Sequence, residues 1–227
     1  MDTRQEKLLK TIIETYINTA EPIGSKFLSE QGEFDLSGAT LRNEMRELEE
    51  TGYLVQPHTS AGRVPTEKGY AYYVEHLMEP IAPRKKIQET IADILSEASR
   101  PEMKLKGIAR FAAEFTHTAV IVAIDRHSVY YTGISYMLAQ PEFRNYAYTL
   151  RMSAVFDHCE DIMDDVYTLV RDAAPTILLG SHNPFGSTLG AVAERIGEES
   201  VFAIVGPIRM DYAKDAGVLH CIRETVR

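Results

Sequence analysis

Tryptophan is absent from this chain of 227 residues, and cysteine occurs only twice. Cys159 and Cys221 give neither a disulfide framework nor a metal-ligand spacing, so we expect reduced thiols and no metal site. No apolar run approaches the ~20 residues that cross a bilayer. The charged N-terminus lacks the apolar core of a signal peptide. These absences predict a cytoplasmic protein that makes no membrane contact.

Positive charge is also scarce. The net charge is −9, which by itself disfavours a nucleic-acid partner because DNA-binding domains present a basic surface. Residues 1–80 hold eight Lys and Arg against fourteen Asp and Glu, a net charge of −6. A DNA-binding function therefore depends on where the cations point and not on their number.

The first 80 residues contain three short helical segments, then a short strand, a polar loop and a further helix. Apolar residues recur at helical spacing over about 4–18, Ser25 is a candidate N-cap for a second helix, and Ser37 for a third. Gly52 stands where a helix-ending glycine is favoured. This order is typical of a winged helix-turn-helix, which we predict for residues 1–80.

Pro80 and Pro83 mark a boundary, after which residues 81–102 read as a linker helix or a packing arm. Residues 103–227 alternate helices with apolar runs, which predicts an α+β domain with a mostly antiparallel sheet and flanking helices. The predicted strands are residues 119–124, 129–134, 176–179, 189–196 and 201–205, with residues 125–128 as a turn. The fold class is therefore α+β.

The third helix has one face that cannot belong to the core. At about 100° per residue, Met45 and Leu48 fall within 40° of Leu41 and define the buried stripe. The opposite face can read bases, because Asn bonds adenine, Arg bonds guanine and Ala contacts the thymine methyl. The residues on or beside that face are Ala39, Thr40, Arg42, Asn43 and Arg46.

A plainer interpretation is that Arg42 and Arg46 are solvated residues paired with Glu49 and Glu50, and helix three alone leaves the two interpretations even. The loop 56–63 favours DNA because it is polar and free of acids, whereas acids crowd the flanking helices. Its hydroxyls, imidazole and guanidinium suit phosphate and minor-groove contacts.

Several segments resemble the HrcA family, the heat-inducible transcription repressors of bacteria. In the first half they are residues 20–25 (AEPIGS), 37–45 (SGATLRNEM), 48–54 (LEETGYL), 57–65 (PHTSAGRVP) and 67–70 (EKGY). In the second half, residues 133–143 (GISYMLAQPEF) and 205–212 (VGPIRMDY) are similar to family segments.

The resemblance implies a repressor with a winged helix-turn-helix and a GAF-like α+β domain. Its expected partners are double-stranded DNA carrying an inverted repeat (the CIRCE operator of chaperonin genes), a second copy in a homodimer, and the chaperonin GroEL. Ala39, Arg42, Asn43 and Arg46 would read bases. The full set of candidate DNA-binding residues is Lys26, Ser37, Ala39, Thr40, Arg42, Asn43, Arg46, His58, Thr59, Ser60 and Arg63.

Two departures from the family affect these expectations. The dimerisation module that the family inserts in the GAF-like domain is missing near Ile124, so we expect dimerisation through the GAF-like domain, the 81–100 helix, or both. Gly38 stands where the family has proline, which loosens the start of the recognition helix.

Two alternatives stay open. The chain could regulate other genes through a small ligand held in the GAF-like domain, where Tyr130, Tyr131 and Tyr136 either line a pocket or pack in the core. It could instead be a protein-interaction module. We find no catalytic residue, cofactor motif or metal-ligand spacing, and expect no enzyme.

Overall fold

The computed structural model describes residues 1–79, 85–125, 128–170, 174–197 and 199–226. The chain divides into two compact units, Met1–Glu79 and Pro80–Arg227. The elements of the first unit are α1 (Thr3–Thr19), α2 (Ser25–Gln31), α3 (Gly38–Glu50), β1 (Leu54–Val55), β2 (Val64–Pro65) and α4 (Glu67–Tyr72), which continues as a π-helix (Tyr73–Leu77).

Helix α1 begins at a capping box. The Asp2 side chain accepts a hydrogen bond from the Gln5 backbone N–H, and the Gln5 side-chain oxygen accepts one from the Asp2 backbone N–H, satisfying two of the orphan N–H groups of a helix start. The buried face of α1 carries Leu8, Leu9 and Ile12. The unit is thus built around the apolar stripe that the sequence predicted.

Helix α2 corrects one predicted cap. Gly24, not Ser25, is the N-cap, and it supplies no side-chain hydrogen bond. Ser25 is the first residue of the helix and is buried. Helix α3 begins as expected, since the Ser37 side chain accepts a hydrogen bond from the Thr40 backbone N–H at 3.2 Å. Gly52 follows α3 with φ +80°, a conformation that glycine adopts without a Cβ penalty.

Strands β1 and β2 pair antiparallel, Leu54 opposite Pro65 and Val55 opposite Val64. The turn from β2 into α4 passes close to β1, and a Cβ on Gly69 would lie 2.3 Å from the Tyr53 carbonyl oxygen. Helix α4 is tied to α1 because the Tyr72 hydroxyl donates to Glu6 Oε1 at 2.6 Å. This hydrogen bond is the main reason that the pKa of Tyr72 rises to about 12.

The second unit has helices on both faces of a sheet. Its elements are α5 (Lys85–Glu97), α6 (Pro101–Thr116), β3 (Ala119–Asp125), β4 (Ser128–Thr132), α7 (Ile134–Leu138), α8 (Tyr146–Asp157), α9 (Cys159–Leu169), β5 (Thr176–Leu178), β6 (Leu189–Ile196), β7 (Ser200–Pro207) and α10 (Tyr212–Val226), with short 3₁₀ turns at Pro141–Arg144 and Gly180–His182.

The five strands lie in the order β4-β3-β7-β6-β5, and every described pairing is antiparallel. One face packs on α7, α8 and α9 through a cluster that includes Ile121, Met152 and Met163. Successive strand residues point to opposite faces, so Val120 and Val122, also buried, face the layer of α6 and α10.

Two sequence expectations change here. The predicted strand 129–134 ends at Thr132, and the apolar residues after Gly133 form helix α7. Gly133 has φ +80°, and its neighbours Thr118 and Ala113 would lie within 2.7 Å of a Cβ, so the chain turns sharply there. Helix α5, from the segment predicted as a linker helix or a packing arm, packs against α6 and α10, with Ile87 and Ile91 buried. Residues 126 and 127 of the predicted turn lie outside the described residues.

Candidate nucleic-acid interface

Helix α3 presents the polar face that the helical spacing of about 100° per residue predicted. Leu41, Met45 and Leu48 are almost completely buried, so they fix the rotation of the helix about its axis. This rotation leaves Ala39, Arg42, Asn43 and Arg46 exposed and Thr40 half-buried, and it leaves Glu47 and Glu50 exposed as well. Four candidate base-reading side chains therefore share one solvent-facing surface.

Thr40 and Ser37 have structural partners at the start of α3. The two hydroxyls lie 3.0 Å apart, and Ser37 also caps the helix. Exposed backbone N–H groups and hydroxyls at a helix N-terminus suit a phosphate, but capping already uses one acceptor of Ser37. Lys26, on the neighbouring helix α2, is highly exposed and lies 3.7 Å from Glu30.

The interpretation of the arginines as solvated surface residues is supported for one of them. Arg46 Nε lies 3.5 Å from Glu50 Oε1, with both side chains about two-thirds exposed. A pair of this kind contributes only a few tenths of a kcal/mol and can exchange for a phosphate. For Arg42, the described residues provide no ion pair within 4.0 Å, so its guanidinium stays available to a ligand.

The sequence did not indicate the role of Glu44. Although its side chain is charged, Glu44 is buried, and its Oε1 lies 2.5 Å from Arg4 Nη2 on helix α1. The wheel places it at about 300° from Leu41, on the flank opposite Arg42. This ion pair joins α1 to α3 and keeps one carboxylate away from the exposed face.

The loop 56–63 between β1 and β2 is closed by internal hydrogen bonds. The Gln56 side-chain amide donates to the Thr59 carbonyl at 3.2 Å and to the Ala61 carbonyl at 2.8 Å. The Ala61 N–H donates to the His58 carbonyl at 2.8 Å. Residues 57–60 are exposed, so the imidazole of His58 and the hydroxyls of Thr59 and Ser60 project from an ordered turn.

Arg63 has contacts within the first unit through both its side chain and its backbone. Its guanidinium Nη2 lies 2.9 Å from Glu49 Oε2, and its side chain is only 13% exposed. The backbone of Arg63 also exchanges two hydrogen bonds with Ile23, at 2.8 and 2.9 Å. Arg63, like Ser37, thus takes part in an internal contact of the fold.

The second unit holds one cavity of about 300 Å³ between helix α8 and the loop before β6. Its floor is apolar, with Met152, Phe185 and Leu189 all buried. Arg151, Ser187 and Thr188 also line the cavity, and of these Arg151 and Ser187 are exposed. None of the three tyrosines considered above belongs to this cavity.

The tyrosines pack on the surface instead. Tyr131 is 42% exposed and contacts Phe156, and Tyr136 is 38% exposed and contacts His117. Tyr130 lies under the Lys106 ammonium at 5.3 Å. The three tyrosines therefore neither line this cavity nor pack in the core.

Other reactive groups are placed away from any site. Cys159 and Cys221 are free and buried, and burial raises the pKa of both thiols, which keeps them protonated and unreactive. Within the described parts of the chain, no group of three or more His, Cys, Asp or Glu could hold a metal ion. Nor does any helix there have the length and apolar character needed to span a membrane.

The second unit, an antiparallel sheet between two helical layers, is consistent with a GAF-like domain. The fold of the chain is shared by a solved structure described as a hypothetical protein, with a TM-score of 0.74 and 17% identity over 100% of this chain and 96% of the other. The family model of the HrcA protein C-terminal domain matches residues 76–215. The chain belongs to the HrcA family.

Curated relatives agree with that assignment. The heat-inducible transcription repressor HrcA of Acetivibrio thermocellus is 41% identical over 145 residues, covering 64% of this chain and 37% of the relative. The repressor of the same name from Natranaerobius thermophilus is 58% identical over 78 residues, covering 34% of this chain and 23% of the relative. The matches thus span little more than a third of these relatives at most.

Proposed function

We propose that the chain is a sequence-specific DNA-binding transcription repressor whose winged helix-turn-helix occupies residues 1–80. In this proposal α3 is the recognition helix, and the 56–63 loop is the wing. The observation that carries the proposal is the exposed surface of α3, where Ala39, Arg42, Asn43 and Arg46 stand together beside an ordered polar loop. The relatives' name, heat-inducible transcription repressor, supports the same role.

The proposed division of labour follows the chemistry of each group. Arg42, Asn43 and Arg46 offer the donors and acceptors that distinguish base pairs in the major groove. Lys26, Thr40, His58 and Thr59 would contact the phosphate backbone, which sets register and carries most of the affinity. Because the first unit has a net negative charge, attraction depends on this one local surface.

An inverted-repeat operator requires two recognition helices about 34 Å apart, hence a dimer. We propose that the second unit, residues 103–227 together with helix α5, provides the pairing surface, since the inserted module of the family is missing. A CIRCE-like operator and a chaperonin partner stay predictions from the family resemblance.

The test is a fluorescence-anisotropy titration against a CIRCE-like inverted repeat and a scrambled duplex, repeated from 50 to 200 mM salt. A preference of about 10³-fold or more for the repeat is expected of a specific repressor. Affinity should fall by about 10³ to 10⁵ across this salt range if 6–10 phosphates are contacted. Equal affinity for both duplexes would contradict the proposed operator, and no binding to either would contradict the DNA-binding function.

A second candidate function, control by a small ligand, is favoured by the cavity in the second unit. An apolar floor with a guanidinium and two hydroxyls in the lining suits an anion that carries an apolar body. The probe is phenyl phosphate, followed by NMR shifts of residues 148–152 and 185–189. Arg151→Ala should weaken binding, whereas Arg144→Ala, an exposed arginine outside the cavity, should not. Equal shifts in both variants would exclude the site.

A further inference from the structure

One carboxylate joins the recognition helix to both ends of the loop. Glu49 Oε1 accepts the Gln56 backbone N–H at 3.2 Å. Glu49 Oε2 accepts the Nε–H of Arg63 at 2.9 Å and lies 2.9 Å from its Nη2. Gln56 opens the loop and Arg63 closes it, so a single side chain of α3 holds the two points where the loop leaves and rejoins the ribbon.

The position of Glu49 on the helix determines which flank of α3 the loop is attached to. On the α3 wheel Glu49 falls at about 80° from Leu41, beside Arg42 at about 100° and Arg46 at about 140°. The loop is therefore fastened to the flank of α3 that carries both arginines. Glu44, on the other flank, is committed to Arg4 and cannot play this part.

The ends of the loop are also held by the β1–β2 pairing and by the backbone hydrogen bonds between Arg63 and Ile23, whereas Glu49 ties both ends to α3. The Gln56 amide closes the loop from within, and Gly62 lies against the segment before α2, where a Cβ would fall 2.4 Å from the Ile23 backbone. The tip at 57–60 makes no comparable contact with α3 in the described structure. Its placement beside α3 thus depends on its two ends.

We propose that Glu49 is a positioning residue of the DNA-binding surface, holding the 56–63 loop at a fixed place beside the recognition helix. The inference rests on the proposed function. It assigns Arg63 to the support of the loop and leaves His58, Thr59 and Ser60 to the DNA. A loop that is already ordered in the free protein loses less conformational entropy when it binds DNA, which raises the affinity.

Electrostatics alone predicts that the loss of Glu49 would increase the affinity for DNA. A carboxylate near a phosphate backbone repels it, and removing Glu49 would also release the guanidinium of Arg63 to contact a phosphate. If that were the whole effect, Glu49→Ala would bind DNA more tightly. If Glu49 positions the loop, Glu49→Ala binds more weakly in spite of its more favourable charge.

The experiment measures operator binding of the full chain, comparing Glu49→Ala with Glu47→Ala. Glu47 lies on the same helix, is exposed, and accepts one hydrogen bond from Gln5, so the two variants change charge equally. We expect Glu49→Ala to lose about 3- to 10-fold in affinity, the size of one ordinary intramolecular hydrogen bond, and Glu47→Ala to bind as well as wild type or better. Tighter binding by Glu49→Ala would overturn the proposal.

A second readout separates support from phosphate contact. Arg63→Ala should weaken binding at each salt concentration without changing the slope of log affinity against log salt. A phosphate contact would instead lower the magnitude of the slope by about one. A reduced slope in Arg63→Ala would therefore assign Arg63 to the DNA and contradict its supporting role.

A third readout needs no DNA. Amide hydrogen exchange of the free protein should become faster at residues 56–63 in Glu49→Ala and stay unchanged in Glu47→Ala. If wild type binds no duplex while the loop loosens as described, the proposed function fails and the support of the loop stands. If wild type binds its operator and Glu49→Ala alters neither loop exchange nor affinity, only the positioning role fails.

Discussion

The two units bury acidic residues to different depths. In the first unit, Glu44 is buried but pairs with Arg4, which is about half exposed, and Glu49 is partly exposed beside Arg63. In the second unit, Glu194 and Asp215 are almost completely inside, at 0% and 1% exposed. The difference indicates that charge in the first unit shapes a surface, whereas charge in the second unit affects the stability of the core.

The buried pair of the second unit crosses from the sheet to its covering helix. Glu194 on β6 lies 2.8 Å from Arg223 Nη1 on α10. Such a pair adds little net stability compared with apolar residues of the same volume, because both ions lose their hydration. Removing one partner is strongly destabilising, because the other charge then stays buried.

The largest effect is expected from Arg223→Met, which leaves the Glu194 carboxylate in the core without its cation. The free energy of unfolding of the second unit should fall by about 3–5 kcal/mol. It can be followed by the urea dependence of amide exchange in β6 and β7. Arg110→Met, an exposed arginine on α6, serves as the control, and equal values for the two variants would show that the buried pair is not needed.

The next effect concerns the surface of the first unit. Arg42→Ala combined with Arg46→Ala should reduce the preference for the operator over a scrambled duplex by at least about 2 kcal/mol, since each bidentate contact to a base supplies about 1–3 kcal/mol. Binding and unfolding are measured on the same sample. A variant that keeps both its fold and its operator preference would show that Arg42 and Arg46 do not read the bases.

Asp215 should make the second unit less stable as the pH rises. Burial raises the pKa of this carboxyl well above its ordinary value of 3.8, with Lys214 opposing and Asp211 adding to the shift. The unfolded chain therefore gives up this proton first. The contribution to folding is fully present below about pH 3.8 and is lost as the pH rises through the folded-state pKa.

Asp215→Asn tests whether ionisation of Asp215 makes the second unit less stable as the pH rises. The variant keeps the shape of the side chain but cannot ionise, so its stability relative to wild type should rise between pH 4 and pH 7, by up to about 1.4 kcal/mol per pH unit. The gain should shrink as the pH approaches 4. A gain that is the same at both pH values would show that ionisation of Asp215 is not the cause.

The smallest effect returns to the first unit, at the start of α3. Ser37→Ala removes the side-chain acceptor for the Thr40 N–H and should lower the unfolding free energy of this unit by about 1 kcal/mol. Ser37→Asp, which can also cap the helix, should retain the stability. If alanine and aspartate behave alike, capping does not fix the beginning of the recognition helix.

Local periodicity predicted much of this structure because it depends only on neighbours along one element. The buried stripe of Leu41, Met45 and Leu48 and the bounds of β6 followed from spacing alone. The strand predicted over 129–134 was wrong beyond Thr132, where a helix follows Gly133, since a short apolar run is compatible with both a strand and a buried helix. The contact of Glu49 with Arg63 joins residues 14 apart across a loop, and no spacing rule indicates which of several acids takes that place.

Buried charge was equally hidden in the sequence. Strand β6 is covered on both faces, so its two sets of residues are buried alike, and nothing marks Glu194 as an interior residue. The partner that makes its burial tolerable, Arg223, comes 29 positions later on another element. Only the packing of α10 over β6 brings these two residues together.

The close approach of Gly62 to Ile23 also bears on how operator preference can evolve. Any side chain at position 62 would collide with the backbone before α2, so this position admits only glycine while the loop keeps its place. The outward residues of α3 and the tip at 57–60 meet no such restriction. Substitutions can therefore accumulate where the duplex would be read, generating new specificities on a frame that stays the same.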